Sequence, residues 1–140
     1  MAKRAAKRIL VVDDHAPTRA FVRSVLEAEK HENFDVVEAA TGAECLKLFD
    51  AKGPFDLVIL DVGLPDIDGY DVCKGLRNVD KRVPIVFVTA RSEMRDFSQG
   101  REAGSDSYIV KPIARGALRS MVTLFTSVGR KKDEEGAGVP

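Results

Sequence analysis

The chain has two cysteines in 140 residues, no excess of either charge sign, and no apolar run longer than a short strand. Cys45 and Cys73 lack C-x-x-C spacing and nearby histidines. That excludes a disulfide framework or a zinc site and leaves two buried structural thiols as the expectation. Twenty-two basic residues balance twenty-two acidic ones, so no overall field draws the protein to nucleic acid or to an anionic membrane. The N-terminal M-A-K-R-A-A-K-R is locally basic, but the apolar stretch behind it, Ile9 to Val12, is four residues long. A secretory signal needs roughly 7–15 apolar residues there and a membrane span about 20. A cytoplasmic protein is the expectation.

Apolar residues make up 44% and charged residues 31%, the composition of one ordinary globular domain. Five short apolar runs, at 8–12, 34–39, 56–60, 83–88 and 106–110, alternate with longer amphipathic segments. Runs one, three and four are nearly continuous in apolar residues, as strands covered on both faces must be. Runs two and five mix in polar residues, which suits edges. Between them, Pro17 fits a first helical position, and Thr41-x-x-Glu44 is a capping box. Gly53-Pro54 and Ala103-Gly104 are stops, and Leu118, Met121, Val122 and Phe125 give the last helix a face. Strict strand–helix alternation predicts an α/β fold, a doubly wound parallel sheet with helices on both faces.

Ligands of such sheets bind beyond the carboxyl ends of the strands. Asp13 and Asp14 follow the first run, Asp61 the third, Thr89-Ala90 the fourth and Lys111-Pro112 the fifth. Three converging carboxylates need a compensating cation, and all-oxygen donors select a hard one such as Mg²⁺ (Mn²⁺ can substitute). Mg²⁺ completes its shell with waters and phosphate oxygens, so Thr89 and Lys111 are placed to hydrogen-bond a phosphoryl group. Ala90 leaves room for its donor.

V-V-D-D (11–14), L-D-V-G-L-P-D-I-D-G (60–69), V-T-A (88–90) and A-G-S-D-S-Y-I-V-K-P (103–112) carry a family resemblance. Over Arg8 to Val128 the chain resembles the receiver domain of bacterial two-component response regulators, of the stand-alone, chemotaxis-regulator-like type. The resemblance implies a five-stranded (βα)5 flavodoxin-like sheet of strand order 2-1-3-4-5. It implies that Asp61 accepts a phosphoryl group from a sensor histidine kinase or a histidine phosphotransfer protein. Asp13 and Asp14 would place Mg²⁺ with Asp61 and the Gly63 carbonyl, Lys111 would bind phosphate, and Thr89 with Tyr108 would be the switch. The output would be a change in the surface of the fourth helix, fifth strand and fifth helix, read by a downstream protein the sequence does not name. Such a chain is not an enzyme in the usual sense, since it catalyses only its own phosphorylation and dephosphorylation. It would be a monomer or a weak phosphorylation-dependent dimer, with no nucleic acid or membrane bound by this chain.

The expected boundaries are a basic flank at 1–7, the receiver at 8–128 and a polar, disordered tail at 129–140; a piece of a longer regulator would read the same way. Arg91, two residues after Thr89, is the candidate modulator of phosphate lifetime, on position alone. His15 reads as a rim residue, since hard cations have little use for imidazole. The fourth helix is poor by propensity, with Gly100 inside it at a cost of about 1 kcal/mol relative to Ala, and with Arg101 where an apolar residue is expected.

Among the aspartates of 60–71, a calcium loop fails on register: with Gly69 sixth, Leu64 and Gly75 occupy positions that need carboxylates. Asp68 and Asp71 suit the start of the third helix, and Asp66 an exposed turn. Three other readings stand beside the phosphorylation-switched receiver. One is a relay that passes phosphate onward, another a phosphorylation-independent interaction module. The third is an aspartate-nucleophile phosphohydrolase, whose pattern instead puts two aspartates flanking one residue after the first strand.

Overall fold

The computed structural model describes residues 6–93 and 97–138 of the chain. The elements are β1 (Lys7–Val12), α1 (Ala16–Glu27), β2 (Phe34–Ala39), α2 (Gly42–Lys52), β3 (Leu57–Leu60) and α3 (Gly69–Val79). They continue with β4 (Ile85–Thr89), a 3₁₀ turn (Arg91–Glu93), α4 (Phe97–Ala103), β5 (Ser107–Val110) and α5 (Arg115–Gly138). All four strand pairings are parallel, in the order β2-β1-β3-β4-β5. The fold class and strand order expected from the sequence are those observed.

Alternation along the three inner strands divides the core. Leu10, Val12, Val58, Leu60, Ile85 and Phe87 face one way and pack with Cys45, Phe49, Val72, Cys73 and Leu76 of α2 and α3. Ile9, Val11, Leu57, Ile59, Val86 and Val88 face the other way, against Val22, Val25 and Leu26 of α1 and Leu118, Met121 and Val122 of α5. At roughly 1.5–3 kcal/mol for each large side chain buried, these two layers dominate the favourable side of folding. Both cysteines are buried, and loss of solvation pushes the Cys45 thiol up to about 12 and the Cys73 thiol to about 11.

Local signals explain the helix ends. The Thr41 hydroxyl accepts from the Glu44 amide at 3.0 Å, while Glu44 reaches past the cap residue to the Ala40 amide at 2.7 Å. Asp68 caps α3 by accepting from the Tyr70 amide at 2.9 Å, and Asp71 lies in its first turn. Gly104, at φ +107°, closes α4 in a conformation that favours glycine.

Two boundaries differ from the sequence reading. Lys7, assigned to the flank, is the first residue of β1; its ammonium is buried and paired with Glu32 at 2.9 Å. Residues 1–5 of that flank lie outside the described residues. The fourth helix is described over Phe97–Ala103 and a 3₁₀ turn over Arg91–Glu93, with 94–96 outside the described residues. The expected tail from 129 is backbone helix as far as Gly138, in keeping with the helix propensities of Arg, Lys and Glu; 139–140 lie outside the described residues. Among the described residues no helix is long and apolar enough to cross a membrane.

Candidate functional site

The backbone ladder runs one residue beyond the strands, and those extra residues make the site. The Asp13 amide donates to the Ala39 carbonyl at 3.0 Å, that of Asp61 to Val12 at 3.0 Å, and that of Lys111 to Thr89 at 2.8 Å. Their Cα positions are thereby set by the sheet rather than by loops.

Carboxylate oxygens of Asp13, Asp14 and Asp61 lie within 4.8 Å of one another. Asp13 and Asp61 are buried and Asp14 is exposed. The Lys111 ammonium donates to Asp13 Oδ2 at 2.7 Å and to Asp61 Oδ2 at 3.2 Å. Burial pushes the Asp13 carboxyl above its ordinary range, against the Lys111 contact and the His15 amide that donates to it. Burial also opposes the charge of Lys111, but its contacts with Asp13 and Asp61 outweigh that and raise its pKa. Carboxylates at this spacing repel one another by about 3–4 kcal/mol at an effective dielectric near 20. One ammonium cannot balance three of them. The surplus negative charge and all-oxygen donors fit a hard divalent cation.

Thr89 is fully buried, and its hydroxyl has no hydrogen-bond partner among the described residues. A buried hydroxyl left unpaired costs about 1–3 kcal/mol, so its position beside the Lys111 strand end calls for a polar ligand. Ala90 is half-buried, and Arg91 is exposed in the 3₁₀ turn. The Gly63 amide donates to Asp61 Oδ1 at 3.2 Å. The missing side chain at Gly63 is replaced in space by Glu93, whose Cδ would stand 2.8 Å from a Cβ there. Tyr108, half-buried on β5, stacks on Phe87 with ring centroids 5.2 Å apart. His15 stands at the N-cap position of α1 without a side-chain capping bond; its ring is bonded to the Thr18 hydroxyl at 2.7 Å and its amide donates to Asp13 Oδ1 at 2.9 Å.

Side-chain contacts between separate elements escaped the sequence reading. Arg19 donates to the Asp13 carbonyl at 2.7 Å and to Glu38 at 3.0 Å, bracing the acidic loop against β2. Arg23 holds the other Glu38 oxygen at 2.7 Å. Asp66 is not merely a turn residue: its two oxygens accept from the Gly42 and Ala43 amides at 2.8 and 2.9 Å. It caps the N-terminus of α2 from the loop that follows β3, and those amides hold its carboxyl below the usual range. The only sequence signal was an acidic residue in a turn.

The model of the response regulator receiver domain matches residues 9–123. The chain belongs to this family. Receiver domains are signalling domains rather than enzymes in the usual sense. The chain is 39% identical over 128 residues to the probable transcriptional regulator ycf27 of Porphyridium aerugineum, covering 91% of this chain and 50% of that protein. It is 43% identical over 110 residues to the transcriptional regulatory protein ResD of Bacillus subtilis, covering 76% and 42%. The chain thus spans about half the length of the curated relatives it matches. Among solved structures, a CheY-like receiver domain protein of Methanospirillum hungatei superposes with a TM-score of 0.83 at 26% identity, covering 91% of this chain and 99% of that one. The chemotaxis protein CheY4 of Vibrio cholerae gives 0.78 at 28% identity, covering 86% and 99%.

Proposed function

We propose that this receiver takes a phosphoryl group on Asp61 from a phosphohistidine of a sensor histidine kinase or histidine phosphotransfer protein in the cytoplasm. The observation that carries this reading is the cluster of Asp13, Asp14 and Asp61 with Lys111 bridging the two buried members. An Asp61 oxygen bonds to phosphorus as the P–N bond of the donor breaks, and the electron pair returns to the donor imidazole. Asp13, Asp14, Asp61 and the Gly63 carbonyl would hold Mg²⁺ or Mn²⁺. When bound, that ion supplies positive charge for the phosphoryl oxygens. Lys111 donates to the same oxygens, and Thr89 gains in them the partner its buried hydroxyl lacks. Ala90 leaves the approach of the donor open.

Movement of Thr89 toward the acyl phosphate draws the loop after β4 inward. Tyr108 responds, and the α4–β5–α5 surface changes for a downstream protein. Arg91, exposed two residues after Thr89, and Glu93, packed on Gly63, would alter the lifetime of the phosphoryl group. A pull-down comparing phosphorylated protein with Asp61→Asn tests the switch. Partners retained only by the phosphorylated form support it. The same partners on both would favour a phosphorylation-independent interaction module.

A further inference from the structure

The chain contains two tyrosines, and they are bonded to each other: the Tyr108 hydroxyl donates to the Tyr70 hydroxyl at 2.7 Å. Phe87 of β4 lies between the two rings, 5.1 Å from that of Tyr70 and 5.2 Å from that of Tyr108. On the other side stands Gly100 of α4, which is buried. A Cβ on Gly100 would collide with the Tyr108 hydroxyl and come within 2.7 Å of the ring carbon that bears it. Gly100 is therefore the notch in α4 that admits the end of the Tyr108 ring, which accounts for a glycine that helix propensity alone disfavours. Tyr70 is itself tied to the phosphoacceptor loop. Its neighbour Gly69 donates to the Val62 carbonyl at 2.9 Å and packs so closely on the Asp61 backbone that no side chain fits there.

We infer that Tyr70 and Gly100 are positioning residues that together latch the Tyr108 ring inward. Tyr70 supplies the hydroxyl that holds the ring, and Gly100 supplies the space. The geometry of the latch stands on the unmodified protein, while its regulatory meaning rests on the receiver reading above. Under that reading, the α4–β5 surface answers to a bond from α3 as well as to Thr89. Partner-facing orientation of Tyr108 is then set by α3 as well as by the end of β4.

The test is chemical labelling of the unmodified protein. With no tryptophan and two tyrosines, acetylation by N-acetylimidazole can be assigned by peptide mass to Tyr70 or Tyr108. Tyr70→Phe keeps the buried ring and removes only the hydroxyl. It should raise the Tyr108 acetylation rate about fivefold, the shift in population expected from losing one neutral hydrogen bond, with far-UV circular dichroism unchanged. Gly100→Ala should raise it at least as much by filling the notch, and ¹³C-labelled tyrosine spectra should show the Tyr108 ring leaving Phe87 in both variants. Wild-type labelling rates at Tyr108 in Tyr70→Phe would overturn the latch, as would rapid labelling of Tyr108 in the wild type. Neither readout uses phosphate, so failure of phosphoryl uptake would sink the functional reading and leave the latch standing.

Discussion

The Lys111 ammonium lies 2.7 Å from Asp13, although 98 residues separate them in sequence. It is also the cationic contact to Asp61, so it both relieves the acidic site and competes there with a metal ion. Lys111→Met should therefore lower metal-free stability by about 1–3 kcal/mol, the cost of leaving buried acceptors unpaired. Mg²⁺ affinity should not fall, because a competing charge has gone, whereas phosphoryl uptake should slow. Chemical denaturation, calorimetric titration and single-turnover phosphorylation measure the three effects. Loss of Mg²⁺ affinity in this variant would count against the competition.

Asp14 offers a way to separate metal binding from folding. It is exposed, unlike Asp13, which is buried and bonded to Lys111 and the His15 amide. Asp14→Ala should leave the melting temperature of the metal-free protein within a degree or so, since exposed substitutions typically cost below about 0.5 kcal/mol. Its Mg²⁺ dissociation constant should rise about tenfold or more, equivalent to ~1.4 kcal/mol. Undiminished Mg²⁺ binding would remove Asp14 from the site.

Asp66 predicts a pH signature. Its carboxyl is held below the ordinary range by the Ala43 and Gly42 amides. A depressed folded-state pKa contributes stability above the unfolded-state value, and that contribution disappears as pH falls through the folded-state value. Asp66→Ala should melt earlier than wild type at neutral pH, and the two curves should converge in acid, below both values. A gap that persisted unchanged into strong acid would show that the carboxylate charge is not what caps α2.

Phosphate lifetime should depend on the turn that follows β4. Arg91→Ala is expected to change the rate of phospho-Asp61 decay, and Glu93→Ala tests the neighbour that packs on Gly63. An unchanged decay in Arg91→Ala with an altered one in Glu93→Ala would transfer the modulating role to Glu93. Unchanged decay in both would remove it from this loop.

Much of this was legible in the sequence because the sheet places strand ends by a simple rule. Asp13, Asp61, Thr89 and Lys111 each stand at or just past an apolar run, so alternation alone brought them to one rim. The Thr41 and Asp68 caps were local and therefore readable. Arg19 to the Asp13 carbonyl, Asp66 to the Gly42 amide and Tyr108 to Tyr70 were not, because each is a side-chain contact between separate elements that no shared periodicity announces. Gly100 looked like a flaw in α4 until the Tyr108 hydroxyl gave it a neighbour. Lys7 read as flank because a buried lysine is exceptional, and its Glu32 partner lies twenty-five residues away.

Intact mass after incubation with Mg²⁺ and a small phosphodonor tests the central claim most directly. Wild-type protein should gain the mass of one phosphoryl group, labile to hydroxylamine, and chelation of the metal or Asp61→Asn should abolish the gain. A wild-type protein that stays unmodified, or an Asp61→Asn variant that gains the same mass at the same rate, would contradict Asp61 as the phosphoacceptor.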